Sequence, residues 1–392
     1  MTIKPSPPGR VRDQRRHVRA VLIATVAVAA VGAGTWTPAA AVARERVLTS
    51  VKNDSPLSAY GGWVVWSEMD SSKRWALVAW HNGRKFRLSI RTRRAPFDAD
   101  LGPSTRGRVV AVYSRCASDP GHEQGYDYAA GFASPAGVPL WSLGSGCRLY
   151  ELDLATQEEK LLEVPRRRGA SDTTPSRWGD NVAFGRRGFG SSVTRLMVWN
   201  TLSGRLRELP HGSLPHSCPF RDGCKRSAFQ GDIQQIDVGP SAVAFLWWLQ
   251  APSVIGTGVG WELRSDLLYR PQSALLSSGY NSGACGAAHP VAPNVAGLNV
   301  WFLDVTYDCD VPHTFVARGS ALTGATGRSE TSTLTWQIAR DGASIYSIRG
   351  PRPKTPHNQD PACLGEAAPC ELVKTPIGKP PPGHDHASPP VF

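Results

Sequence analysis

Six times along the chain a turn residue is followed by two positions, a β-branched or small apolar residue, one more position and, in most copies, a large apolar residue. The copies are Gly61 to Trp66, Gly107 to Val112, Gly179 to Phe184, Pro240 to Phe245, Gly297 to Phe302 and Gly342 to Ser347. Recurrence of one phrase at intervals of this length means that similar units build the core. The third copy is the clearest. Thr174 to Trp178, Asn181 to Gly185, Thr194 to Asn200 and Arg205 to Leu209 each have strand length and strand composition. The breaks between them hold Trp178-Gly179-Asp180, a Gly-Ser-Ser loop and Leu202-Ser203-Gly204. The second copy repeats the scheme with Val109 to Ser114, Leu149 to Leu154 and Lys160 to Val164, and the first with Trp63 to Ser67, Ala76 to Trp80 and Lys85 to Ile90.

Four short antiparallel strands per unit make a sheet that cannot bury both its faces alone, so the units must stack face to face, and radial stacking gives a propeller. The pattern therefore predicts an all-β fold, a six-bladed β-propeller of four-stranded antiparallel blades. Arg46 to Ser50 reads as a last strand with no three strands before it, while the sixth unit has strands at Trp336, Ile345 and Leu372 and then a proline-rich tail. The N-terminal strand is thus expected to close the sixth sheet, which leaves fewer open edges. Units four and five depart most, their third and fourth strands being blurred by Gly and Ser, which leaves the blade count open by one.

The order of elements from Pro175 to Pro210 resembles the repeat of TolB-type six-bladed propellers: an innermost strand, a turn at Gly, an apolar strand, a leucine-and-acid strand and a closing arginine-leucine strand. The Arg340-Asp341-Gly342 turn within Trp336 to Ile348 fits the same pattern, as do Tyr150, Leu152, Asp153 and Leu154 within Leu149 to Pro165. The resemblance covers about residues 46 to 377 and implies an architecture; it implies no particular function.

In an up-and-down blade the turns from first to second and from third to fourth strand lie at one end, and the remaining connections at the other. The first set is short here. The long segments, Arg115 to Gly146, Arg186 to Val193, His211 to Gln230, Leu246 to Trp261 and Arg349 to Pro369, all belong to the second set. One face of the ring is expected to be bare and the other covered. Sequential pairing of the eight cysteines, Cys116 with Cys147, Cys218 with Cys224, Cys285 with Cys309 and Cys363 with Cys370, joins positions that this geometry brings close, among the other connectivities eight cysteines allow.

The even cysteine count suits an oxidising compartment. So does the N-terminus, where Lys4, Arg10, Arg12, Arg15, Arg16 and Arg19 precede an apolar run from Ala20 to Gly34 and a small-residue stretch ending Ala41-Val42-Ala43. This reads as a secretory signal over residues 1–43, with an uncleaved anchor as the competitor. Arg15-Arg16 hints at twin-arginine export, although His17, Val18 and Arg19 follow it. The propeller would occupy 44–377 and a disordered Pro-rich tail 378–392. Removing 1–43 takes six basic residues and one acid from a formal charge of +12, leaving +7. That surface could favour an anionic partner, but no basic helix or aromatic-basic signature points to nucleic acid.

No nucleophile elbow, His-Glu-x-x-His, phosphate-cradling glycine loop or EF-hand loop occurs in the sequence. His211, His216, Cys218 and Cys224 offer zinc-type ligands, but a disulfide with two solvated histidines is favoured in an oxidising compartment. Asp304, Asp308, Asp310 and His313 place acids at a strand end, without a liganding spacing. The Arg115 to Gly146 loop carries a mixture suited to recognition, and the expected binding face is Arg115, His122, Tyr126, Asp127, Tyr128, Asp308, Asp310 and His313. Trp247-Trp248 is expected to serve blade packing. The reading is a secreted, monomeric, non-catalytic propeller without cofactor or metal, engaging a protein or anionic cell-envelope component and having no membrane span once the signal is removed. The alternative is a propeller hydrolase or lyase acting on a sugar, lactone or peptide at the mouth of the central channel.

Overall fold

In the computed structural model the described residues are 45–53, 55–119, 144–166, 168–191, 193–209, 230–253, 256–281, 288–308, 311–331, 335–350, 363 and 369–377, all within the unit Ala43–Phe392. They contain no helix, and their strands form six four-stranded antiparallel sheets. Strand β1 (Arg46–Val51) stands first in the chain. Blade one holds β2 (Ser58–Tyr60), β3 (Trp63–Met69), β4 (Trp75–His81) and β5 (Arg84–Arg87); blade two holds β6 (Asp100–Pro103), β7 (Val109–Arg115), β8 (Arg148–Asp153) and β9 (Glu159–Leu161). Blade three has β10 (Ser171–Trp178), β11 (Asn181–Arg187), β12 (Arg195–Asn200) and β13 (Leu206–Glu208). Blade four has β14 (Gln230–Val238), β15 (Ala242–Ser253), β16 (Gly256–Leu267) and β17 (Ser273–Asn281), and blade five β18 (Ala288–Ala296), β19 (Asn299–Asp308), β20 (Val311–Ser320) and β21 (Thr326–Glu330). Blade six comprises β22 (Thr335–Asp341), β23 (Ser344–Arg349), β24 (Cys370–Pro376) and, paired antiparallel on β24, strand β1.

The innermost strands β2, β6, β10, β14, β18 and β22 each touch the next around a closed ring, which makes the six sheets a propeller. The repeated phrase now has a physical reading. Its glycine is the residue of the first hairpin turn that takes a left-handed backbone, with φ of +60°, +74°, +59°, +65° and +57° at Gly61, Gly107, Gly179, Gly297 and Gly342. Glycine adopts that conformation without steric cost. Proline cannot, and where Pro240 takes the slot the turn is instead bonded from Gly239 N–H to the Ala242 carbonyl at 2.9 Å.

The apolar part of the phrase is the second strand of each blade, which is buried on both faces because a neighbouring blade covers each. Val64 and Trp66 pack towards blade six while Val65 packs towards blade two. Likewise Val182 and Phe184 face blade two and Ala183 faces blade four, and Val243, Phe245 and Trp247 face blade three while Ala244 and Leu246 face blade five. Period-two alternation sends successive side chains to opposite faces. Here both faces are core, so the strand is apolar throughout.

Blades four and five, blurred in the sequence, have the longest strands of the described ring. The Leu246 to Trp261 segment, expected as a covering loop, is instead the β15–β16 hairpin, paired without interruption from Ala242–Leu267 to Ser253–Gly256. Gly256, Gly258 and Gly260 alternate with Thr257, Val259 and Trp261, and glycine hides strand propensity that the neighbouring ladder supplies. The blade count is six.

Strand β1 is held by more than its ladder. The Lys85 ammonium donates to the Ser50 carbonyl at 2.9 Å, Thr375 donates to Glu45 at 3.0 Å, and Arg349 pairs with Glu45. Val51 is fully buried among Val64, Trp66 and Leu372. Residues 1–43 and 378–392 lie outside the described residues, and no helix of the described residues is long and apolar enough to cross a membrane.

Trp66 fills the seam between the first and last blades at 1% exposure, whereas Phe189 is 92% exposed. Trp66→Ala is expected to lower unfolding free energy by about 3–5 kcal/mol and Phe189→Ala to change it by less than about 0.5 kcal/mol, measured by urea titration. Equal effects would contradict the seam.

Candidate functional site: the central channel

Innermost strands present one backbone edge to the channel with no strand to pair it, and buried N–H groups need acceptors. Side chains of the adjoining blade supply them at every junction. From blade one, Ser58 Oγ accepts the Leu101 N–H at 2.8 Å and donates to Asp100 at 2.7 Å. Between blades two and three, Asp98 accepts the Thr174 N–H at 2.8 Å and Asp100 the Arg177 N–H at 3.4 Å. Ser176 Oγ repeats the first arrangement, accepting the Val238 N–H at 2.8 Å and donating to Asp237 at 3.4 Å. Asp237 accepts the Val295 N–H and Gln235 the Ala292 N–H at 2.6 Å, joining blades four and five. Asn294 accepts the Arg340 N–H at 2.9 Å, and Asp341 the Gly62 N–H at 2.7 Å, which returns the chain of bonds to blade one.

The approach of the inner strands is close. A Cβ on Gly102 would sit 1.8 Å from the Arg177 carbonyl oxygen, so only glycine fits there. Four inner strands, β10, β14, β18 and β22, also shift register against their partners at corresponding places, and Thr174 and Ala292 at two of these bulges adopt left-handed φ of +48° and +52°. The bulge offsets the strand locally and opens the wall.

The bulges surround a cavity of about 60 Å3 lined by all six blades. It lies beside the N-terminal halves of the inner strands, the half of the channel nearer the connections between blades. Its polar lining includes Asp98, Asp100, Thr174, Gln234, Asn294 and Gln337, with Pro56, Pro175, Pro293 and Ile236 between them. No lysine, arginine or histidine lines it.

The channel carboxylates are committed. Asp98 accepts from the Ser114 N–H at 2.9 Å and Ser114 Oγ at 2.6 Å as well as from Thr174, with Arg93 at 3.4 Å. Burial pushes Asp100 up to about 6 against the hydrogen bonds from Ser176, Ser58 and backbone N–H groups. Burial, and then the charge of Asp100, raise Asp237 well above the usual carboxylate range. Asp232, bonded to Thr194 Oγ at 2.5 Å, is likewise pushed up to about 6 by burial. Buried acids that resist ionisation can serve catalysis, but Asp100 and Asp237 each bond to two neighbouring blades and Asp232 to Thr194 of blade three.

The sequence-based site residues distribute differently. Arg115 ends β7 beside the Cys116–Cys147 disulfide, with its guanidinium 5.6 Å from the ring centres of both Tyr113 and Tyr150, donating to Glu159 at 2.7 Å and to the Arg91 carbonyl at 3.2 Å. Asp308 ends β19 opposite Val311, and His313 sits in β20 opposite Thr306. Asp304, two turns of the pleat before Asp308, is buried 3.9 Å from Arg328. His122, Tyr126, Asp127, Tyr128 and Asp310 lie outside the described residues, as do His211, His216, Cys218, Cys224, Cys285 and Cys309. The Cys116–Cys147 and Cys363–Cys370 pairs are formed. Trp247 is core. Among the described residues no group of three His, Cys, Asp or Glu is arranged to hold a metal.

Sequence reasoning passed over the inner-strand polar residues. They carried a signal: Ser58, Ser176, Asp237 and Asn294 each stand three places before the first residue of the repeated phrase.

Raised carboxylates fix a sign. Asp232 favours the folded state when protonated, so its contribution is full below about pH 4 and is lost as pH rises through about 6. Asp232→Asn keeps an acceptor for Thr194 without a proton to lose. Relative to the native protein it should gain up to about 3 kcal/mol between pH 4 and pH 7.5, by urea unfolding at each pH; a pH-independent difference would contradict the burial argument.

No family model matches the chain, and no curated protein matches it. Solved structures of similar overall shape include TolB from Acinetobacter baumannii, at 10% identity and TM-score 0.40, with 80% of this chain covering 63% of that one, less than two thirds of its length. An α-L-arabinofuranosidase from Fusarium graminearum, solved with an iminosugar inhibitor, has 8% identity and TM-score 0.44 over 84% of this chain and 98% of its own. An oligogalacturonate lyase from Vibrio parahaemolyticus has 10% identity and TM-score 0.37 over 86% and 94%. At such identities the likeness concerns shape, and the TolB-type six-bladed architecture expected from the repeat is present in the strand order itself.

Proposed function

We propose that this is an exported, non-catalytic propeller that engages a protein or anionic cell-envelope component through the face carrying its long interstrand connections. The observation that carries the reading is a division of labour. The channel carboxylates are consumed in blade-to-blade bonds, whereas the long connections leave from one end of the ring. Cys116–Cys147 closes the neck of the connection between β7 and β8, and Cys363–Cys370 closes a short loop, with a sequence separation of 7, where the connection between β23 and β24 enters β24. A disulfide limits the freedom of the chain it closes, by roughly 2–4 kcal/mol in unfolded-state terms, and a restrained loop loses less entropy on binding. The disulfides accord with an extracytoplasmic site of action.

The site residues of this proposal are those of the connection after Arg115, including His122, Tyr126, Asp127 and Tyr128, with Asp308 and His313 of the β19–β20 hairpin on the opposite side of the ring and Asp310, which lies outside the described residues. Arg115 serves as the anchor at the neck. A hydrolase or lyase reading would need uncommitted acids at the channel mouth.

Immobilised mature protein should capture a partner from cell-envelope extracts, and replacing residues 120–143 by a short Gly-Ser linker, which keeps Asp119 on Arg93 and Arg94, should reduce capture at least tenfold while the unfolding midpoint holds. Undiminished capture by the shortened protein would contradict the proposal.

A further inference from the structure

Two side chains in the central cavity are spent on nothing. Gln234 on β14 is 4% exposed and Gln337 on β22 is 0% exposed, and both the carbonyl oxygen and the amide nitrogen of each lack a hydrogen-bond partner in the protein. Thr174 Oγ, from the bulge of β10, is also buried and unpartnered. All three line the same cavity, from blades three, four and six. Neighbours on two of these strands bond across to the next blade: Gln235 accepts from Ala292, and Ser176 bridges to blade four. Leaving a buried amide unpaired is costly, so two such amides facing one space are provision for something that enters it.

The lining states what kind of group that is. Each amide offers one acceptor and two donors, and a hydroxyl matches both because it donates and accepts. Nothing in the lining selects a charged ligand: it has no cationic side chain, Asp98 is compensated by Arg93, and Asp100 is bonded to Ser58 and Arg177. Pro56, Pro175, Pro293 and Ile236 supply apolar walls suited to C–H surfaces. The volume suits the end of a small molecule, since by the same measure one water needs roughly 10–15 Å3.

We propose that the central cavity is a binding site for a neutral polyhydroxylated group, a polyol or the end of an uncharged sugar, held by the paired amides of Gln234 and Gln337 with Thr174 as a third polar contact. This site lies towards the same end of the ring as the proposed partner-binding face, but it uses different residues and does not depend on that reading. It requires no chemistry of the ligand.

The test uses the full mature protein with D-sorbitol as the probe and sodium gluconate as its anionic counterpart, read by calorimetry and by ligand-observed NMR. Sorbitol should bind saturably, and Gln337→Met and Gln234→Met, which keep side-chain length but remove the amide, should each weaken it at least tenfold. Because those substitutions remove an unpaired buried amide, unfolding midpoints should hold or rise, which separates lost binding from lost folding. Gluconate should bind at least tenfold more weakly. No saturable sorbitol binding, binding unchanged in both methionine variants, or tighter binding of gluconate would each overturn the proposal, as would a crystal grown with sorbitol that shows waters alone on the two amides.

Discussion

Six edge strands meet around one axis, and each must satisfy a row of backbone groups without a seventh sheet to pair with. That constraint orders the rest of the ring. The solution is a circuit of side-chain acceptors in which Ser58, Asp98, Asp100, Ser176, Asp237, Gln235, Asn294 and Asp341 take N–H groups from the next blade. Burying carboxylates to do this has a cost, visible in the upward shifts of Asp100 and Asp237. A buried unpaired backbone donor would also cost free energy, so the circuit and the closely approaching inner strands require one another.

Outside the circuit, stability comes from apolar seams between consecutive sheets. A ring distributes this burial evenly only if it closes, and here strand β1 lends the last sheet its outer member, with Val51 buried in the seam shared by blades one and six. The same closure ties residues near both ends of the described ring through Glu45, Arg349 and Thr375. Blades four and five depart from the average by length: their second and third strands run to ten or twelve residues, so their hairpins project on the side where the long connections of blades two and six also leave. Asymmetry is therefore concentrated on one end of a nearly regular body.

Much of the ring was legible because both determinants are periodic. The left-handed turn demands glycine at Gly61, Gly107, Gly179, Gly297 and Gly342, and the doubly buried second strand demands an unbroken apolar run after it. The β15–β16 hairpin was hidden because backbone pairing, with little help from propensity, makes strands of a glycine-alternating segment. The channel was hidden for another reason: polar residues on a strand ordinarily mark a solvated face, and Ser176 or Asn294 gives no local sign that its neighbour is another blade. Only their shared offset from the repeated phrase betrays the role. Gln234 and Gln337 lie off that offset, which is consistent with side chains that are turned to a cavity and not to a neighbouring strand.

The ring thus keeps committed carboxylates inside, its long connections at one end and two unspent amides between. Everything placed on it presumes that the inner strands are locked by side chains of the adjoining blade. Amide hydrogen exchange at Val238 in the native protein and in Ser176→Ala tests this most directly. The account predicts native protection as strong as that of the buried second strands, falling at least a hundredfold in the variant while amides of blade six keep theirs; weak protection in the native protein, or no change on removing the serine hydroxyl, would contradict it.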